Sequence, residues 1–107
     1  MAYLELVRED GGRIQCDTKK RSITFFERTA IFTESEWKIL RALYYELGQT
    51  VSRETLFHEL KDPSLKEDSR CVDMHISNIR RKLKKVKAAR IVAVYGEGYR
   101  LLASYRK

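Results

Sequence analysis

The chain has 107 residues, 22 Lys and Arg against 15 Asp and Glu, a net charge of +7 and 43% apolar residues. That leaves room for one small domain with its own core and none for a second, catalytic domain, and the mix of apolar, aromatic and charged residues excludes a disordered chain. No apolar run approaches the roughly 20 residues of a membrane-spanning helix, and the start Leu4-Glu5-Leu6-Val7-Arg8-Glu9 is no signal peptide, so the expected location is cytoplasmic, with no membrane partner.

The charge is unevenly placed. Residues 1–67 carry 11 cationic and 12 acidic side chains, a net −1, whereas residues 68–107 carry 11 and 3, a net +8. A confined excess creates a directional field that draws in a polyanion. Nucleic acid is the leading partner; an anionic membrane surface suits the charge but not the narrow apolar stripe of the helix described below. Cys16 and Cys71 lie far apart in different expected elements and read as two reduced thiols.

In chain order, Tyr3 to Arg8, Arg13 to Asp17, Ser22 to Phe26 and Ala30 to Phe32 read as short strands, with Gly11-Gly12 the clearest turn. Alternation at Ile14/Cys16 and Ile23/Phe25 gives each strand one buried face, as in a small antiparallel sheet laid against helices. Thr33-Glu34-Ser35-Glu36 is a capping box that starts a first helix, with Trp37, Leu40, Leu43, Tyr44 and Leu47 as its apolar face and Gly48 as a left-handed stop. Ser52 caps a shorter second helix carrying Leu56, Phe57 and Leu60, which runs out before Asp62-Pro63. A loop follows from Lys61 to Glu67.

The third helix is the most informative. Asp68 or Ser69 can cap it, and Lys84, Lys85 and Lys87 complement the negative pole of its dipole. Val72, Ile76, Ile79 and Leu83 recur at helical spacing, while Arg70, Met74, Ser77, Asn78 and Arg81 lie towards the other side. Cations hold phosphates without reading sequence; Asn, Ser and a flexible Met can touch base edges in a major groove. The helix is therefore either a DNA reader or an ordinary basic helix with a solvated face. Arg90 to Tyr95 and Tyr99 to Leu102 then form a hairpin around Gly96-Glu97-Gly98. The expected fold is α+β: a winged helix-turn-helix with an N-terminal four-stranded antiparallel sheet (residues 1–32), three helices (33–86, the third about 69–85) and a C-terminal hairpin wing (90–103), in one domain.

Five segments in order carry a family resemblance: Phe32-Thr33-Glu34-Ser35-Glu36-Trp37-Lys38-Ile39-Leu40, Val51-Ser52-Arg53-Glu54-Thr55-Leu56, Ser69-Arg70-Cys71-Val72-Asp73-Met74-His75-Ile76, Ile79-Arg80-Arg81-Lys82-Leu83 and Gly96-Glu97-Gly98-Tyr99-Arg100-Leu101. Over nearly its whole length the chain resembles the OmpR/PhoB-type winged-helix effector domain of bacterial response regulators. The resemblance implies a transcription factor whose third helix enters the major groove of double-stranded DNA and whose wing reaches the adjacent minor groove or backbone. It implies RNA polymerase as a partner of the loop, through Lys61, Asp62, Ser64, Lys66 and Glu67, and a tandem homodimer on direct repeats about one helical turn apart. It further implies a receiver domain, so that the chain is either an excised effector domain or a stand-alone member.

Carried onto this sequence, the pattern makes Arg70, Arg80 and Arg81 phosphate clamps and Met74, Ser77 and Asn78 base-facing, with Cys71, Lys82, Lys85 and Tyr95 completing the DNA-binding set. Three positions depart from it. Cys71 stands where Thr is usual, Tyr95 where a wing Arg is frequent, and Ser77-Asn78 where some members have a more cationic pair. Tyr95 cannot insert a guanidinium into a narrow minor groove, so weaker minor-groove readout is expected.

Other readings of the same residues are blander. Cys71 and His75 have a spacing that suits two zinc ligands, but two do not make a site. Cys71 could be a redox switch lowered by Arg70 and the helix terminus, or a replacement for Thr. Asp73 is expected to pair with a neighbouring helix or with a basic side chain such as Arg80, and His75 to pack. No Ser comes with a placeable His and carboxylate, and Gly96-Glu97-Gly98 precedes no helix that could cradle a phosphate, so no enzymatic activity and no cofactor are expected. A winged helix serving as a protein interaction module is the alternative function, disfavoured by the lack of apolar anchors on the third helix.

Overall fold

Four strands open the chain, β1 (Tyr3–Val7), β2 (Arg13–Asp17), β3 (Ser22–Phe25) and β4 (Arg28–Ile31), paired in that order as an antiparallel meander. The computed structural model describes residues 3–7, 11–64 and 69–103. Alternation sends Ile14 and Cys16 inward and Arg13 and Gln15 outward, and the register Cys16↔Ile23↔Ala30 lines the buried face. The third strand ends one residue before its expected end, at Phe25. Phe26 turns left-handed (φ 56) and 84% exposed, making a two-residue turn with Glu27, and the fourth strand begins at Arg28 rather than Ala30. Phe26-Glu27 holds none of the Gly, Asn or Asp that mark such turns, so its apolar side chain reads as a continuing strand.

α1 (Glu34–Tyr45) starts on the expected capping box: the Glu36 amide donates to Thr33 Oγ1 at 3.2 Å and the Thr33 amide to Glu36 Oε1 at 2.9 Å. Its end differs from expectation. Glu46 is the C-cap, Leu47 lies beyond the helix and is 39% exposed, and Gly48 (φ +82) donates its N–H to the Leu101 carbonyl at 3.0 Å, bracing the turn rather than stopping the helix. The buried face instead includes Ile39, which is fully enclosed.

β5 (Thr50–Val51) leads into α2 (Arg53–Glu59), where Ser52 Oγ accepts from the Thr55 amide at 3.1 Å. Leu60 caps α2, its carbonyl accepting from Lys38 Nζ at 3.0 Å, and Lys61 follows in the left-handed region (φ +53). Glycine takes that conformation without a Cβ penalty. Lys61→Gly is therefore expected to stabilise the fold by about 0.5–1 kcal/mol, measured as a melting temperature a few degrees higher.

α3 (Ser69–Val86) buries Val72, Ile76, Ile79 and Leu83, and the stripe runs on to Val86. It packs against α1, α2 and β4. Ser69 is already the first helical residue, and the expected cap Asp68 lies outside the described residues. β6 (Arg90–Val94) and β7 (Gly98–Leu102) form the expected hairpin, but β5 joins it as a third strand in the order β5-β7-β6. The Arg100 guanidinium fastens this addition by donating to Thr50 Oγ1 at 3.1 and 2.7 Å. A strand of two residues has no visible alternation, and its partner lies fifty residues downstream. One continuous core joins the inner face of the first sheet, the three helices and the second sheet.

Candidate nucleic-acid interface

The solvent side of α3 follows from its stripe. At 3.6 residues per turn, Arg70, Met74, Ser77, Asn78, Arg81 and Lys85 fall within an arc of about 100° opposite the buried residues. Arg70, Ser77, Arg81 and Lys85 are exposed, Met74 is 58% exposed, and Asn78 is half-buried at the rim. From Arg70 to Lys85 the arc runs for roughly 22 Å, a length and width that fit a major groove. Small or flexible groups sit mid-arc, with cations at both ends. Cys71 is half-buried against the core, and exposed Arg80 lies towards the Asp73 flank.

Lys82 does not join this arc. Its ammonium donates to Glu36 Oε1 at 2.5 Å and sits 5.5 Å from the centre of the Phe32 ring, so it ties α3 to the first turn of α1. Burial pushes the Glu36 carboxyl up, but the Lys82 bond, the Thr33 amide and the positive field of Lys82 outweigh it, leaving the carboxyl below the usual glutamate range. The expectation that Lys82 belongs to the DNA-binding set did not include this partner, because nothing near it in sequence announces a buried carboxylate.

On the opposite flank, Asp73 joins α3 to α2 and β7. Its Oδ1 accepts from Arg53 Nε at 2.8 Å and from the Tyr99 hydroxyl at 2.6 Å. The Arg53 guanidinium also lies over the Tyr99 ring, 4.9 Å from its centre. Desolvation raises the Asp73 carboxyl, yet the Tyr99 and Arg53 bonds bring it below the ordinary range, while burial and that carboxylate raise the Tyr99 phenol. The partner of Asp73 is thus the neighbouring helix, through Arg53, rather than Arg80. Arg53 and Tyr99 were without an assigned role in the sequence; an acidic residue on a basic reading helix was the only signal that such a partner existed.

The wing tip carries Tyr95 fully exposed beyond the Val94↔Gly98 pair, with the Glu97 amide donating to the Val94 carbonyl at 2.9 Å. In the loop after α2, Lys61, Asp62 and Ser64 are exposed; Lys66 and Glu67 lie outside the described residues. Asp62 Oδ1 accepts from the Ser64 hydroxyl at 2.6 Å and amide at 3.0 Å, which stiffens the start of the loop and lowers the Asp62 carboxyl. Neither Cys16 nor Cys71 is in a disulfide, and burial pushes the Cys16 thiol up to about 11. Among the described residues no three His, Cys, Asp or Glu side chains gather in a metal-binding group, and no helix is long and apolar enough to cross a membrane.

Residues 27–101 match the family described as "Transcriptional regulatory protein, C terminal". The chain is 37% identical over 93 residues to the transcriptional regulatory protein BaeR of Escherichia coli O6:H1, a match covering 85% of this chain and 36% of BaeR. It therefore spans little more than a third of that relative. The crystal structure of the DNA binding domain of E. coli CpxR superposes with a TM-score of 0.71 at 30% identity, covering 94% of this chain and 98% of that one. The DNA binding domain of the response regulator AdeR, solved in complex with an intercistronic region, superposes with a TM-score of 0.67 at 26% identity over 83% of this chain and 93% of its own. The family match covers most of the chain and the winged-helix architecture agrees with it: the chain belongs to the C-terminal domains of transcriptional regulatory proteins, the OmpR/PhoB-type effectors.

Proposed function

We propose that this chain is the sequence-specific, double-stranded DNA-binding effector domain of a cytoplasmic two-component response regulator. The observation that carries the reading is the exposed arc of α3, where polar and apolar groups suited to base edges lie between cations suited to phosphates. In this reading α3 enters the major groove, Arg70, Arg80, Arg81 and Lys85 hold phosphates, and Met74, Ser77 and Asn78 face bases, with Cys71 beside them. Tyr95 meets the adjacent minor groove or backbone as a neutral contact. Lys82 is left out of the set because Glu36 holds it. The AdeR domain's complex with an intercistronic region supports the same use of this fold.

The further partners are a second copy on a direct repeat, RNA polymerase at the loop beginning with Lys61, and a receiver domain in the longer protein. Selection from a random duplex pool, followed by titration of the recovered site at several salt concentrations, tests the reading. A direct repeat and a steep log–log salt slope support it; no motif, with binding lost at physiological salt, overturns it in favour of a protein interaction module. Arg81→Ala and Lys85→Ala are each expected to weaken binding to all duplexes and reduce the salt slope by about one. Asn78→Ala is expected to flatten base preference at one position, with little change in that slope.

A further inference from the structure

The wing and the reading helix come from distant parts of the chain, yet they meet at one hydroxyl. Tyr99 follows Gly98 directly, and Gly98 pairs with Val94 as the last rung of the hairpin. Beyond that rung only Tyr95, Gly96 and Glu97 project. The direction of the tip is therefore set by whatever holds residues 98 and 99. On the side away from β6, three contacts do so: the Val51↔Tyr99 strand pair, the Gly98 backbone against Val51 and Ser52, and the Tyr99 hydroxyl, which donates to Asp73 on α3 and is the one of the three that ties the wing to that helix. Arg53, from the first turn of α2, binds the same carboxylate oxygen and covers the Tyr99 ring. α2, α3 and β7 thus converge on Asp73 Oδ1.

We infer that the Tyr99 hydroxyl and Asp73, backed by Arg53, are positioning residues that lock the wing in one orientation relative to α3, so that the wing's contribution to DNA binding depends on this bond. The side chains need not touch DNA. They preorganise a second contact, so that the wing engages without first being ordered. A bond that served only fold stability would weaken α3 and wing contacts alike; a positioning bond affects the wing contact alone. The inference rests on the DNA-binding reading for its binding readout but has a second readout in the free protein.

Two measurements on the full 107-residue chain test it. The first is ¹⁵N relaxation of the free protein. Tyr99→Phe, which keeps the ring, is expected to lower backbone order across residues 94–98 while leaving residues 69–86 unchanged. Asp73→Ala is expected to do the same, whereas Asp73→Asn, which keeps an acceptor, retains most of the order. The second is a double-mutant cycle on the duplex recovered by selection. Tyr95→Ala and Tyr99→Phe are each expected to weaken binding about fivefold, and the double variant no more than either alone. Arg81→Ala should keep its full effect in the Tyr99→Phe background. Unchanged order at residues 94–98, or losses at Tyr95 and Tyr99 that multiply, overturns the clamp. A wild-type chain that selects no duplex sinks the DNA reading, and the relaxation comparison then decides the clamp by itself.

Discussion

Gly98→Ala is expected to destabilise the protein by on the order of 3 kcal/mol or more. A Cβ at this position would stand 2.0 Å from the Val51 carbonyl oxygen and 2.8 Å from Ser52 Cα. These are backbone atoms, so no rotamer change can make way. Relief requires β7 to move away from β5, which opens the Thr50↔Arg100 and Val51↔Tyr99 pairs and disturbs the Ser52 cap of α2. The backbone adds its own strain, with φ at +150. Gly96→Ala is the control: its φ is +72 but nothing lies within 4 Å of the new methyl, so only the conformational cost of about 1 kcal/mol applies. Urea unfolding of both variants separates the two effects. Equal losses would mean that β7 does not press against the start of α2.

The parts of this fold that were legible in the sequence are those specified by neighbours in the chain. Thr33 with Glu36, Ser52 with Thr55, and the stripe from Val72 to Leu83 each declare themselves within a few residues, and the structure contains them. What escaped depends on distant partners or on unmarked turns. β5 exists because Arg100 and Tyr99 pair with it, and Phe26 leaves the sheet at a turn without turn residues. The same division runs through the candidate site. Helical spacing alone places Met74, Ser77 and Arg81 on one exposed arc. Spacing could not show that Lys82 bends towards α1, or that Asp73 is shared by α2 and the wing, because Glu36, Arg53 and Tyr99 lie 46, 20 and 26 residues away.

Replacing Glu36 with Ala is expected to cost about 2–3 kcal/mol, less than the roughly 3–5 kcal/mol of breaking a fully buried ion pair because Lys82 reaches solvent, and including the half of the capping box that Glu36 supplies. Two donors lose their acceptor at once, the Thr33 amide and the Lys82 ammonium. The Glu36 side chain is only 4% exposed and that of Lys82 25%, so solvent screens little of the pair, although the long lysine can swing outward and recover part of the loss. The sign of the pH dependence follows from the lowered Glu36 carboxyl. Its contribution is fully present above the unfolded glutamate value of about 4.3 and is lost as pH falls through the lower folded value. The stability gap between wild type and Glu36→Ala should therefore be constant near neutrality and close below about pH 4. A gap that stayed constant into strong acid would show that the charge contributes nothing. The pair also separates two roles for Lys82. If Glu36 holds it away from DNA, Lys82→Met lowers stability but leaves duplex affinity and salt slope nearly unchanged, whereas Glu36→Ala frees a cation beside the reading arc and steepens the slope by up to about one. If Lys82 is a phosphate contact in the bound state, Lys82→Met instead flattens the slope by about the same amount.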